Sequence, residues 1–411
     1  MEEVCPKVQC TGCSACMNSC RHKAIKMVND KFGFLYPEID ESKCVDCKLC
    51  QIVCPTLNDV SKQIPISGYV CHAASVEEQK SSTSGGAISV IARYILGNRD
   101  GVVYGCTNIP NFETKHIRIT RTDDLYLLKG SKYVQSKLEK IFSLVKQDLL
   151  NDRLVLFVGT PCQVAGLKSF LRKDYSNLYT IDFVCHGVPS QSFLNESIEE
   201  VSSKKNISNT VLEFRYKYIP KIYNILPDFL KSQIKMKSIY GLHFIDENNH
   251  LVYSEKYPFN DYILGFLTGL TYRESCYKCK YATPDRCSEF TCGDYYDSKI
   301  VSKLPGSKRL ASMISVNNKK AELLFMRFKG DLIYTSVDYQ KILESHRQLR
   351  EPMQRHPKRD EFLSAYTQKG FIAAMHDVME YEKKRIVRNR KLDLIANLVY
   401  KISFIRKLRG K

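Results

Sequence analysis

Cys10-Thr-Gly-Cys13-Ser-Ala-Cys16-Met-Asn-Ser-Cys20, and later Cys44-Val-Asp-Cys47-Lys-Leu-Cys50-Gln-Ile-Val-Cys54-Pro55, are the stretches on which the reading of this chain turns. Both have the spacing C-x2-C-x2-C-x3-C. A cubane presents four iron corners, and three thiolates two residues apart wrap one face of it. The fourth cysteine is expected to begin a short helix leading toward the other group. That logic assigns Cys10, Cys13, Cys16 and Cys54 to one [4Fe–4S] cluster, and Cys44, Cys47, Cys50 and Cys20 to a second. Between the runs, Ala24-Ile25-Lys26-Met27-Val28 and Phe34-Leu35-Tyr36-Pro37-Glu38-Ile39-Asp40 read as short strands covering the clusters.

This head closely resembles the two-cluster bacterial ferredoxins. It departs from their pattern once, because Arg21 follows Cys20 where proline is common, whereas Pro55 follows Cys54. The competing reading of CxxC pairs is a pair of zinc ribbons. Two complete four-cysteine runs weigh against it.

With 411 residues, two or three domains are expected, and 44% hydrophobic residues supply ample core material. Seventeen cysteines in a chain that opens Met-Glu-Glu-Val, without an apolar leader, read as reduced thiols holding metal in the cytoplasm rather than as a disulfide framework. No stretch reaches the roughly 18 to 20 apolar residues that span a bilayer. The formal net charge of +18 comes without a nucleic-acid motif, so nucleic acid is not the expected partner. A basic face that docks an acidic electron carrier accounts for the charge.

A polar linker near residues 58–66 separates the head from a body in which helix and strand patterns alternate. Tyr69–Ala73, Gly101–Gly105, Leu154–Val158 and Tyr179–Val184 read as strands, and Ala87–Leu96 as a helix. This alternation predicts an α/β layer architecture. Three loops in it carry chemistry. Ser81-Ser82-Thr83-Ser84-Gly85-Gly86 offers free N–H groups at a helix start, suited to an anion. Gly159-Thr160-Pro161-Cys162-Gln163 leaves a strand and opens a helix whose positive end is expected to lower the Cys162 pKa. Val184-Cys185-His186-Gly187-Val188-Pro189-Ser190 again follows a strand, placing a second cysteine where open α/β sheets keep their ligands. A second cysteine group comprises Cys276-Tyr277-Lys278-Cys279, Cys287 and Cys292. Those four make a zinc or iron–sulfur site by themselves, or else Cys276 and Cys279 join Cys162 and Cys185 around a third cubane. Spacing does not choose between these sets.

The ordered motifs at 81–86, 130–136 (Gly-Ser-Lys-Tyr-Val-Gln-Ser), 159–163, 182–190, 276–282 and 293–296 (Gly-Asp-Tyr-Tyr) resemble those of the coenzyme F420 hydrogenase/dehydrogenase beta-subunit family, in the form with a fused ferredoxin head. The resemblance spans roughly residues 5 to 300. It implies a flavoprotein that passes electrons between iron–sulfur clusters and a hydride carrier or conjugated organic substrate, as chlorophyll-modifying reductases and deazaflavin-linked hydrogenase subunits do. It makes Ser84, Gly85, Gly86, Ser131, Lys132 and Tyr133 expected flavin contacts, with FAD as the expected flavin. It favours Cys162, Cys185, Cys276 and Cys279 for the third cluster, with Cys276, Cys279, Cys287 and Cys292 as the alternative. His186 is the candidate proton donor. No GxGxxG fingerprint supports a dinucleotide-binding unit.

The expected layout is an α+β ferredoxin-like module (1–62) fused to an α/β flavoprotein body (63–147 and 148–320), with a helical basic tail (321–411). In the tail, residues 383–411 interleave basic side chains with Ile395, Leu398, Val399, Ile402, Phe404, Ile405 and Leu408. Such a segment fits a membrane surface at its inner face, a partner, or simple packing on the body. The expected function is a flavin-dependent oxidoreductase fed by a ferredoxin-type donor or another redox subunit, reducing an unidentified organic substrate. An electron-relay subunit and a zinc-stabilised interaction protein are the alternatives.

Overall fold

Residues 3–108, 112–218, 237–306 and 310–389 are described by the computed structural model. The head carries β1 (Ile25–Asn29) and β2 (Leu35–Ile39), a hairpin paired from Ile25↔Ile39 to Asn29↔Leu35 and within a residue of the expected strands. Its turn needs Gly33, whose φ is +78°, and a Cβ there would lie 2.1 Å from Ser192 Oγ. The hairpin therefore sits directly on the helix Gln191–Lys204 of the body. The two short helices, Ala15–Ser19 and Leu49–Ile52, differ from expectation: each contains the third cysteine of its run, and the fourth follows the helix instead of opening it. One helical turn separates Cys16 from Cys20, and Cys50 from Cys54, so the fourth thiol falls where the turn is completed.

The body is built on β3 (Ser67–Ala73), β4 (Val102–Asn108), β5 (Thr114–Ile119), β6 (Val155–Gly159) and β7 (Leu178–Phe183), and then, beyond β8 (Val211–Tyr218), β9 (Lys237–Ile245) and β10 (Leu251–Lys256), on β11 (Phe290–Tyr295), β12 (Ala311–Val316) and β13 (Leu332–Val337). Eight of these form one mixed sheet in the order β13-β3-β12-β11-β7-β6-β4-β5. Four neighbouring strands, β11, β7, β6 and β4, run parallel. Parallel strands are covered on both faces and read as continuous apolar runs, and the packing follows that rule. Val103, Leu156 and Ile181 meet Ile91, Ile95 and Phe325 on one side, while Val102, Val155 and Phe157 meet Phe142, Val164 and Leu167 on the other. Cys13 and Val53 of the head join this second core.

A separate antiparallel sheet, β10-β9-β8, packs Phe214, Leu242 and Phe244 against the helix Asp261–Leu267 and the helical residues 371–389. The linker is pinned, since Gln63 and Arg286 exchange backbone hydrogen bonds of 3.0 and 2.9 Å. Beyond Lys320 the chain is not helical throughout. Leu332–Val337 becomes the edge strand β13, paired with β3 from Leu332↔Ala73 to Val337↔Gly68. Its β-branched, alternating residues bury Leu332 and Val337, and this outweighs the surrounding helical pattern. The apolar residues expected on the basic tail helix, Ile395 to Leu408, lie outside the described residues. Among the described residues no helix is long and apolar enough to cross a membrane.

Candidate redox site

A cavity of about 440 Å³ opens at the carboxyl ends of the parallel strands β4, β6, β7 and β11. Such strand ends are where open α/β sheets hold ligands. Gly105 and Cys106 continue β4 into its wall, Gly159 and Cys162 come from the end of β6, Cys185 and His186 from the end of β7, and Gly293 and Asp294 from β11. The helix Pro161–Leu171 starts as the sequence predicts: Pro161 occupies its first turn, and Thr160 and Gln163 form a reciprocal capping box. The expected fall in the Cys162 pKa is overturned. Burial, followed by the neighbouring Cys185 and Cys279 thiols, pushes it up and outweighs the helix end.

Cys162, Cys185, Cys276 and Cys279 come together although they come from three separate segments. Burial raises each, and Cys185 feels Cys276 and Cys279 in turn. Cys287 packs in the same core as Cys162 and Cys279, and Cys292 lines the cavity from β11. Cys292 points into the sheet core beside Cys71, and Cys287 faces the Pro161 carbonyl at 3.7 Å. In the head, Cys10, Cys13, Cys16 and Cys54 line one small cavity. Burial pushes Cys13 up to about 12 and raises Cys16 well above the ordinary thiol value, with the other thiols of the group adding to both shifts. Cys50 has Cys47 and Cys20 for neighbours, and Cys47 is exposed. Among the described residues no three His, Cys, Asp or Glu side chains gather tightly enough for a single metal ion.

Residues 152–340 match the family model for the C terminus of the beta subunit of coenzyme F420 hydrogenase/dehydrogenase, and residues 9–58 match that for the 4Fe-4S dicluster domain. Over these residues the chain is similar to the F420 hydrogenase/dehydrogenase beta-subunit family, headed by a dicluster domain. The dicluster match marks an iron–sulfur protein, and the body is electron-transfer oxidoreductase-like. No curated protein matches. Among solved structures, a chain of the F420-reducing [NiFe] hydrogenase complex from Methanosarcina barkeri is similar at 13% identity and a TM-score of 0.44, over 77% of this chain and 92% of that one.

In this F420 hydrogenase beta-subunit-like body, Ser84, Gly86, Ser131, Lys132 and Tyr133 all line the cavity, as does His186. Gly85 does not: it is wedged between β3 and β12, where a Cβ would lie 2.5 Å from both the Cys71 carbonyl and the Ser312 nitrogen. Lys132 donates to the Leu128 and Lys129 carbonyls at 3.1 and 2.6 Å, and burial lowers its pKa to about 8. A buried chain of hydrogen bonds fixes its loop. Gln163 donates to Ser136 Oγ at 2.9 Å, Ser136 pairs with His116 Nδ1 at 2.9 Å, and His116 Nε2 meets the Val158 carbonyl at 3.0 Å. Burial depresses His116 to about 4, so it is neutral in this role.

Sequence reasoning gave no role to Arg215, Tyr240, Phe266, Cys5 or Arg273, which no motif marks, and none to Asp294 beyond its place in the 293–296 motif. Burial opposes ionisation of Asp294, yet the Arg215 guanidinium and the 2.8 Å hydrogen bond from the Tyr296 hydroxyl hold its carboxyl low. Tyr133 stacks on Phe266 at 4.5 Å and on Tyr240 at 5.9 Å, giving the cavity an aromatic shelf. Cys5, outside both runs, lines the head cavity beside Cys10 and Cys54. Arg273 carries the link between head and body. Its Nε donates to the Cys10 carbonyl at 2.6 Å and its Nη1 to Gln135 Oε1 at 3.2 Å. Its Nη2 is buried without a hydrogen-bond partner. A buried guanidinium lacking anionic company is costly, and anionic clusters on the adjoining thiols would supply what is missing.

Proposed function

We propose that the chain is an iron–sulfur flavoprotein oxidoreductase that passes electrons between a ferredoxin-type donor, or another redox subunit, and an organic substrate. In this reading Cys10, Cys13, Cys16 and Cys54 hold an inner cluster, and Cys20, Cys44, Cys47 and Cys50 an outer one. Cys162, Cys185, Cys276 and Cys279 hold a third, and residues 1–62 are the ferredoxin unit of the molecule. The cavity takes a flavin, with FAD as the candidate. The observation that carries the reading is that two thiols of the third group, Cys162 and Cys185, stand on the wall of a ligand-sized cavity. A cluster and a flavin so arranged are neighbours.

A bound flavin exchanges two electrons as hydride with a substrate and single electrons with clusters. The chain's own contribution is positional and electrostatic. Ser84, Gly86 and the Ser131–Tyr133 segment line the cavity together, and Lys132 brings a positive charge to neutralise a cofactor phosphate or an anionic reduced ring. Tyr133, Phe266 and Tyr240 offer a flat apolar surface that excludes water. His186 is within the same wall as a proton donor.

The test is the iron, sulfide, zinc and flavin content of anaerobically purified protein. Three cubanes and one flavin require about twelve irons, four per cluster, with one flavin per chain. Roughly eight irons without flavin would instead make the chain a relay subunit, and zinc in place of iron would overturn the assignment.

A further inference from the structure

Among the described residues three arginines are fully buried: Arg273, Arg286 and Arg359. Two of them have carboxylates, Asp182 at 2.8 Å from Arg286 and Glu274 at 3.5 Å from Arg359. Arg273 has none among the described residues. Its partners are neutral: the Cys10 carbonyl, the Gln135 side-chain oxygen and the ring of Tyr36, over which the guanidinium lies at 4.0 Å. Its third nitrogen, Nη2, is unpartnered. Removing a cation from water costs several kcal/mol even after relaxation, and neutral hydrogen bonds recover only part of that.

The position explains what neutral partners do not. Arg273 bonds the backbone of Cys10 on one side and precedes Cys276 by three residues on the other, and its charge acts on both thiols. It thus stands between the two cysteine groups on either side of the head–body boundary.

We propose that Arg273 is a counter-charge shared by the inner head cluster and the cluster that takes Cys276, a positioning residue that favours the reduced state of both and ties them together. The proposal rests on the ligand assignment made above. Reduction adds one negative charge to a cubane, and a nearby fixed cation in a low-dielectric site stabilises that added charge. An electron arriving at the exposed outer group is thereby drawn inward.

Anaerobically purified full-length protein tests this by potentiometric titration followed by electron paramagnetic resonance, with Arg273→Met and Arg273→Lys beside the wild type. Iron and sulfide counts come first: a four-iron shortfall in the wild type fails the ligand assignment, and full counts let the rest be read. Arg273→Met is expected to move two of the three cluster potentials to more negative values and leave the third, that of the outer cluster, in place. Arg273→Lys, which keeps the charge, is expected to stay near the wild type. No movement in Arg273→Met overturns the proposal, as does an equal movement of all three, which would mean general loosening. A second readout does not need the potentials. In the loaded protein, Arg273→Met should unfold at a lower temperature than wild type, with Arg273→Lys close to it. An unchanged or higher unfolding temperature in Arg273→Met overturns the proposal, and so does a far more negative inner potential in Arg273→Lys.

Discussion

Gly166 lies in the middle of the helix Pro161–Leu171, one turn beyond Cys162. Replacing such a glycine with alanine ordinarily stabilises a helix by about 1 kcal/mol. Here the added Cβ would stand 2.8 Å from the Cβ of Cys13, 2.9 Å from its Sγ and 3.4 Å from the ring of Phe142. Normal carbon contacts are roughly 3.5–4.0 Å, so either the helix or the Cys13 loop must yield. Overpacking of this kind costs about 1–3 kcal/mol. Cys13 belongs to a loop buried among cysteines and has little room to retreat. Setting the gain against the upper half of that cost, Gly166→Ala should destabilise the protein by about 1–2 kcal/mol. Denaturant unfolding of the anaerobically purified chain measures the change, and proteolysis across residues 58–66 reports whether the head has lifted. If Gly166→Ala proves as stable as wild type, with an equally protected linker, the head does not seat on this helix as described.

Alanine at Cys162 or Cys185 should each remove about four irons per chain, whereas alanine at Cys287 or Cys292 should leave the iron count unchanged; the reverse pattern would restore the local four-cysteine set. Cys5→Ala should also keep every iron, since Cys5 is extra to both runs, and a loss on elemental analysis would make it a ligand. Arg286 Nη2 lies 2.8 Å from Asp182 Oδ2, both side chains being almost fully buried. Asp182→Asn leaves that cation without its counter-charge and should cost about 3–5 kcal/mol in denaturant unfolding. Lys132, lowered to about 8 chiefly by burial, sheds its proton in the folded state well before the unfolded lysine does. Between pH about 8 and about 10.4 the unfolded chain therefore holds more protons, and stability rises with pH across that window. In flavin-free protein, Lys132→Met should flatten this rise in the urea midpoint, and an unchanged slope would refute the assignment.

The cysteine runs and the strands β1, β2, β3, β4, β6 and β7 were legible because short-range spacing and apolar runs encode them. Pro161 after Thr160 announced a helix start for the same local reason. Other features arise only when distant segments meet. Cys162 lies among Cys185 and Cys279, so burial reverses the effect that its helix position alone implies. Gly85 sits in the motif of its cavity-lining neighbours Ser84 and Gly86, yet its missing side chain serves the approach of β3 and β12. Arg273 carries no pattern at all, because its partners Cys10 and Gln135 are brought to it by the docking of the head. The strand β13 was hidden by helical sequence on either side, and its partner β3 is far upstream.

The cysteines differ sharply in how far water reaches them. Cys10, Cys13, Cys16 and Cys54 are buried, Cys20 and Cys44 are partly covered, and Cys47 is exposed. Dissolved oxidants attack accessible sulfur first, and the early products can be reversed while later ones cannot. Injury should accordingly begin at the Cys47 end and advance toward the body only after that end has failed. On the assignment proposed above, the rim of the head then acts as a fuse, failing before the buried thiols behind it.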